Sequence, residues 1–431
     1  MIVHDDEIRR GLKSGYTVKD VLNLLALLEA HGTLRFDPLP TGLYAAAAID
    51  PVAGAQSGYG NSWVRDNIYV ALAHEVAGHS DVACTVLEAL AAFYRKYRNR
   101  FEAILEGRAD PKLPENRPQV RFNGVNLLEI STRWPHAQND ALGYFLWFYC
   151  YFARTGRLVP DRDLLALFAL YFEAIRYWED EDSGHWEERP KIEASSIGAV
   201  VAGLRSLREL LKENKAPVGQ RCTLNFDLIN ALIAEGEKAL AFILPRECIQ
   251  SDPLRYRRYD SALLFLVYPL DVVDYVMGKE IVDEVVENLQ GEYGIRRYLG
   301  DSYWTANYKD KVPATELTAD VSRHQEERDA LATLGQEAQW CIFDPIVSVI
   351  AGRRYLYTHD PRDLMQQVQH LNRSLGQLTG PDCPKGRLRC PEAYYLDHGR
   401  YIPNDHVPLL WTQANLWMAL LAMKESAAHS F

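Results

Sequence analysis

The sequence predicts a single all-α domain over residues 1–431, and three observations carry that prediction. Apolar residues recur at helical spacing along most of the chain, convincing period-2 strands are scarce, and no low-complexity linker divides it. The stretch VKDVLNLLALLEAHG (18–32) sets the pattern, with one apolar face and Gly32 to stop it. Similar stretches follow at 67–78, 81–106, 136–156, 161–178, 195–212, 227–243, 260–268, 279–290, 337–352, 361–379 and 408–424. Two long loops, 300–335 and 380–407, interrupt the series. A composition of 48% hydrophobic and 24% charged residues supports a substantial core and argues against disorder.

Charge and cysteine usage narrow the class. A net charge of -11 makes a phosphate backbone an improbable partner, so no nucleic acid is expected. The longest apolar runs, such as Ala262 to Pro269, are too short to span a bilayer, so no membrane is expected either. The opening MIVHDDEIRRGLKSG has no apolar core of a signal peptide. Cysteines 84, 150, 222, 248, 341, 383 and 390 form an odd set without C-x-x-C spacing, which favours a reducing, cytoplasmic setting. Cys383 and Cys390 share a loop and could pair, but nothing requires it. Histidines 136, 185, 324, 398 and 406 show no metal-ligand spacing. GYGNSW is not a phosphate loop, and there is no G-x-S-x-G elbow. No metal and no cofactor are expected.

Polar and aromatic clusters sit between the helical stretches: GYGNSWVRDN (58–67), RWPHAQNDA (133–141), SGHWEERP (183–190), GIRRYLGDSYW (294–304), EAQW (337–340) and CPEAYYLDHGRYIPNDHVPLLW (390–411). Six such clusters at helix junctions point to one face of a helical barrel. Cleaving a glycosidic bond takes one protonated and one ionised carboxyl. Glu187, beside Trp186 and Glu188, has an apolar wall and a second acid to raise its pKa, and Glu392 is followed by two tyrosines able to hold it ionised. Arg65 and Asp66 suit a grip on vicinal hydroxyls, although Asp66 also reads as a helix N-cap. Trp63, Trp134 and Trp340 suit sugar faces, with core packing as the ordinary alternative.

In order, these clusters resemble the glucoamylase family, glycoside hydrolase family 15, and still more the N-terminal domain of phosphorylase kinase α and β subunits. The resemblance runs from LPTGLY (39–44) to LLWTQANLWMALLAM (409–423). It implies an (α/α)6 barrel with the active site in a funnel at one end. It also implies inverting hydrolysis at the non-reducing end of an α-glucan or oligosaccharide. By this likeness Glu187 is the general acid, Glu392 the general base, and Glu188 a substrate-binding carboxylate. Arg65, Asp66, Asp140 and Arg297 then hold the sugar, and Trp63, Trp134, Trp340 and Trp411 line the funnel. The register at RWPHAQNDA follows the kinase subunits, with His136 where glucoamylases carry Arg. That departure keeps a second expectation in view, a catalytically silent sugar-binding regulator.

Overall fold

The computed structural model describes residues 1–48, 54, 57–213 and 225–429. Its helices are α1 Asp6–Gly11, α2 Val18–Ala30, α3 Val64–Val76, α4 Ser80–Lys96, α5 Asn99–Leu105, α6 Asn139–Arg154, α7 Arg162–Ala174 and α8 Ala194–Lys212. They continue with α9 Phe226–Ile243, α10 Leu264–Val267, α11 Tyr275–Leu289, α12 Tyr308–Lys311, α13 Gln325–Asp329, α14 Phe343–Thr358, α15 Pro361–Gly376 and α16 Leu410–Ala428. Twelve of them alternate along the chain between two concentric rings. Helices α2, α4, α7, α9, α11 and α15 are outer, and each leads to an inner partner, α3, α6, α8, α10, α14 or α16. The inner six pack in that order, and α16 closes the ring on α3. This is the (α/α)6 barrel.

The two rings differ as their surroundings demand. An outer helix meets water on one side, so its apolar residues form a stripe. In α4 the buried positions include Ala83, Val86, Leu87, Leu90, Phe93 and Tyr94. An inner helix has neighbours all round. In α16 every residue from Leu410 to Leu420 is buried, and in α6 every residue from Asn139 to Leu146. Some of the polar groups inside pair with one another or with backbone: Asn415 donates to the Ile342 carbonyl at 3.1 Å, and the Tyr69 and Tyr144 hydroxyls meet at 3.1 Å. Among the described residues, no helix is long and apolar enough to cross a membrane.

Short strands decorate one end. β1 (Ser62–Trp63), β2 (Arg121–Asn123) and β3 (Leu128–Glu129) form one antiparallel sheet. β4 (Cys248–Ile249) pairs with β5 (Tyr256–Arg257), and β6 (Gln339–Trp340) pairs with the hairpin β7 (Ala393–Asp397) and β8 (Arg400–Pro403).

The structure corrects several sequence expectations. The stretch 81–106 is two helices, α4 and α5, broken after Lys96. The stretch 260–268 is a 3-10 turn, Ser261–Leu263, running into the single turn of α10. The stretch 337–352 begins as strand β6, because Trp340 pairs with Ala393 far along the chain. Asp66 is not an N-cap: α3 starts after Trp63, and Asp66 lies in its first turn. Cys383 and Cys390 are both free thiols, and Cys222 lies outside the described residues.

The tightest inner contact is between α6 and α8. A Cβ on Gly143 would lie 2.5 Å from the Ala199 carbonyl carbon, and one on Gly203 would lie 2.9 Å from the Gly143 oxygen. Both helices approach through missing side chains, and backbone cannot yield as a flexible side chain can. Gly143→Ala is therefore expected to destabilise the fold by about 1–3 kcal/mol, as overpacking does. Chemical denaturation of the variant beside the parent measures it.

Candidate active site

The helix ends place the site. Five of the six outer helices begin under a capping side chain, from Thr17, Asp161, Asn225, Asp274 and Asp360. None of the six inner helices has a side-chain cap of its own. Their first N–H groups find partners in the surrounding loops instead: Asp182 accepts from Asn139 N at 2.8 Å, and the Ala46 carbonyl from Leu410 N at 3.0 Å. The inner N-termini thus gather beneath one pocket of about 980 Å³, counting the part open to solvent. Helix N-termini carry partial positive charge, which favours carboxylates nearby. Ten of the eleven site residues expected from the sequence line this pocket. The exception is Asp140.

Glu187 stands on one side. Its Oε1 accepts the Trp63 indole N–H at 2.7 Å and the Gln138 amide at 3.2 Å, and it lies 3.8 Å from Arg65 Nη2. Its backbone is left-handed, with φ of 59°, a conformation that a non-glycine residue holds only when its surroundings impose it. Burial raises its pKa above the usual carboxylate range, outweighing Arg65 and the Trp63 bond. Glu188, the second acid expected to contribute, lines the same pocket but is paired with cations of its own. Trp186 also lines the pocket, with its indole N–H donating to Asp260 at 2.8 Å.

Glu392 lines the same pocket. Its Oε1 accepts the Tyr59 hydroxyl at 2.6 Å, and its Oε2 accepts from the Asn404 amide and from His406 Nδ1, the latter at 2.8 Å. Burial alone would push its pKa up, but His406, Tyr59 and Asn404 together hold it below the usual range. Neither neighbouring tyrosine takes part: Tyr394 donates to the Gln377 carbonyl, and Tyr395 packs on Trp304. The two carboxyls are joined through aromatic neighbours, since the Trp63 ring lies 5.5 Å from that of Tyr59.

Charged groups between them are sorted by their partners. Arg65 donates to Asp140, to Gln138 and to the His185 carbonyl, the last at 2.9 Å. Asp140 itself is wholly buried behind Arg65, so it positions the arginine and does not reach the pocket. Burial pushes Asp66 up to about 7, against the pull of Arg65, with Glu187 and Glu392 adding to the rise. Arg297 is fixed by Asp301 through two bonds of 2.6 Å and lies 4.9 Å from the centre of the Trp340 ring. Glu188 reaches the wall with its acceptor sites already taken by Lys191, Arg257, Tyr298 and Gln325. Arg257 and Lys191 overcome its burial and hold it well below the carboxylate range.

The profile described as "Glycosyl hydrolases family 15" matches residues 26–346. The chain belongs to this family. It is 24% identical over 297 residues to "Probable phosphorylase b kinase regulatory subunit alpha" of Drosophila melanogaster, covering 62% of this chain and 22% of that one. It therefore spans under a quarter of that relative's length. Among solved structures it is similar to a wild-type glycosidase, at 16% identity with TM-score 0.62, each chain covered over 98%. It is also similar to a bacterial glucoamylase complexed with acarbose, at 14% identity with TM-score 0.58, over 90% of this chain and 53% of that one. These likenesses establish the barrel.

This glycosyl hydrolase family 15 chain also has site residues that the sequence did not single out. Tyr59 and Tyr303, whose hydroxyls lie 3.0 Å apart, sit inside the quoted clusters GYGNSW and DSYW. A phenol among so many tyrosines carried no distinguishing signal. The loop 300–335 supplies a roof. Thr318 donates to the Ser57 carbonyl at 2.8 Å, Asp320 lies 3.6 Å from Arg133, and Glu326 lies 2.7 Å from Arg189. Asp140→Ala would strip the buried Arg65 of the carboxylate it is hydrogen-bonded to, leaving Gln138, the His185 carbonyl and the more distant Glu187, so it is expected to cost about 3 kcal/mol of stability. Urea denaturation of the family 15 chain and its variant checks this, and a loss under 1 kcal/mol, about the worth of a surface pair, would contradict it.

Proposed function

We propose that this family 15 chain is an inverting exo-hydrolase of α-glucans or α-gluco-oligosaccharides, with residues 1–431 working as one catalytic domain. Glu187 protonates the glycosidic oxygen, and Glu392 takes a proton from the attacking water. The observation that carries the reading is two carboxyls on one pocket, Glu392 buried and Glu187 partly so, driven opposite ways by their surroundings. The Glu187 Oε1 is engaged by Trp63 and Gln138, which leaves Oε2 to hold the proton. Arg65, Asp66 and Arg297 take the sugar hydroxyls. Trp63, Trp134, Trp340 and Trp411 offer flat apolar faces to the ring. Glu188 serves by fixing Tyr298 and Gln325 in the wall. A cytoplasmic location belongs to the same proposal, supported by the six free thiols among the described residues.

A second reading, a sugar-binding regulator without turnover, is favoured by the relatives named as kinase regulatory subunits. Incubation with maltose, maltotriose, isomaltose and glycogen separates the two. Release of β-glucose supports the hydrolase and names its linkage. Sugar binding by calorimetry without release supports the regulator.

Glu392→Gln is expected to lower turnover by about 10²–10⁴-fold, the usual worth of a general acid or base, with sugar affinity largely kept. Calorimetry beside glucose release tests it, and unchanged turnover would remove Glu392 from the mechanism. The pH profile of kcat/KM should be bell-shaped. Activity falls on the acid side as Glu392, its pKa lowered, takes up a proton. It falls on the alkaline side as Glu187, its pKa raised, loses one. A flat profile from mildly acidic to neutral pH would contradict the pair.

A further inference from the structure

The hairpin that carries Glu392 also carries the groups that bind it. Asn404 N donates to the Ala393 carbonyl at 3.0 Å, and Glu392 N to the His406 carbonyl at 3.1 Å, so backbone bonds past the end of the β7–β8 ladder, shifted by one residue from its register, hold His406 beside Glu392. An ionised carboxylate only accepts, so His406 Nδ1 must bear the hydrogen in their 2.8 Å bond. The same imidazole lies flat against the Tyr59 ring, with centroids 3.5 Å apart and planes 5° apart. Tyr59 is the donor to the other carboxylate oxygen. One side chain therefore governs both edges of the carboxylate. His406 and Glu392 are each buried, with 1% and 3% of their side chains exposed.

Counting acceptor sites sharpens this. A carboxylate has about four lone-pair sites. Asn404 and His406 fill those on Oε2, and Tyr59 fills one on Oε1. A single site is left, and it is on Oε1. We propose that His406 is the positioning residue of Glu392: its Nδ1–H and its stacking on Tyr59 fix Oε1 as the one atom able to receive the proton from water. This rests on the reading of Glu392 as the base.

The titratable groups facing Glu392 are Tyr59, Tyr303 and Tyr308, Cys341, Asp66 and His406. Burial pushes the phenols and the thiol upward, so they stay neutral, and Asp66 can only add negative charge. Among these groups His406 and Tyr59 are the ones hydrogen-bonded to the carboxylate.

The test compares the full chain with His406→Phe, which keeps a flat ring on Tyr59 but has no donor, and His406→Gln, which restores a donor. Two readouts are taken. One is the pH profile of kcat/KM on a hydrolysed oligosaccharide. The other is the titration of the Glu392 carboxyl by 13C NMR of glutamate-labelled protein, assigned with Glu392→Gln. In His406→Phe the Glu392 midpoint and the acid limb should both rise by about one pH unit, the size of shift a lost donor produces. There kcat should fall at least about tenfold while KM stays within about twofold. His406→Gln should recover most of the shift. If the phenylalanine variant does not fold, His406→Ala carries the same expectation. A midpoint unchanged in the folded variant overturns the proposal. Absence of turnover in the wild type overturns the hydrolase reading alone, because the NMR midpoints still decide what His406 does to Glu392.

Discussion

Six helices shut off from water along their sides have only their ends on which to display a polar group, and the rest of the structure follows from that constraint. The inner helices can be apolar all round because the outer ring takes the solvent. Their N-termini are satisfied by backbone and side-chain groups of distant loops such as Asp182 and Ala46, and loops of this kind form the pocket. Removing inner-ring packing would therefore disturb the pocket as much as the core. The close approach of α6 and α8 at Gly143 shows how little slack that ring has.

Desolvation is the second consequence. Every charged group at those ends pays for lost hydration, and what each becomes depends on its partners. Glu188 has two cations and stays ionised. Glu392 has three donors and does the same. Glu187 has fewer compensations, and its pKa rises. Asp66, on the same pocket, is pushed up to about 7. The pocket thus contains carboxyls of different protonation because their neighbours differ, though the side chains are nearly alike.

Helical periodicity revealed the outer helices well, since an amphipathic stripe such as that of α2 is a local signal. It also revealed most inner helices as long apolar stretches. It failed at Gln339–Trp340, where a distant partner made a strand, and at Lys96, where one apolar run bent into two helices. For the site, ordered motifs picked out the residues around the pocket, and ten of the eleven line it. Motifs do not report direction. Nothing in RWPHAQNDA says that Asp140 points away from the pocket toward Arg65. Nothing in CPEAYY says that the tyrosines turn aside while Tyr59, more than three hundred residues earlier, arrives in their place. Those facts come from tertiary packing, which adjacency in sequence does not encode.

The hairpin bearing Glu392 has an implication for how such barrels diversify. The carboxylate, Asn404 and His406 all lie on one antiparallel excursion between α15 and α16, beyond the 26–346 region matched by the family profile. Glu187 is carried by a separate loop, ahead of α8. An excursion of this kind can be shortened, lengthened or rewritten in a descendant without disturbing either ring, while the pocket tryptophans and Arg65 stay in place. A lineage can in this way replace one pocket carboxylate together with the groups that bind it by editing one loop, and the toroid beneath keeps its shape through the exchange.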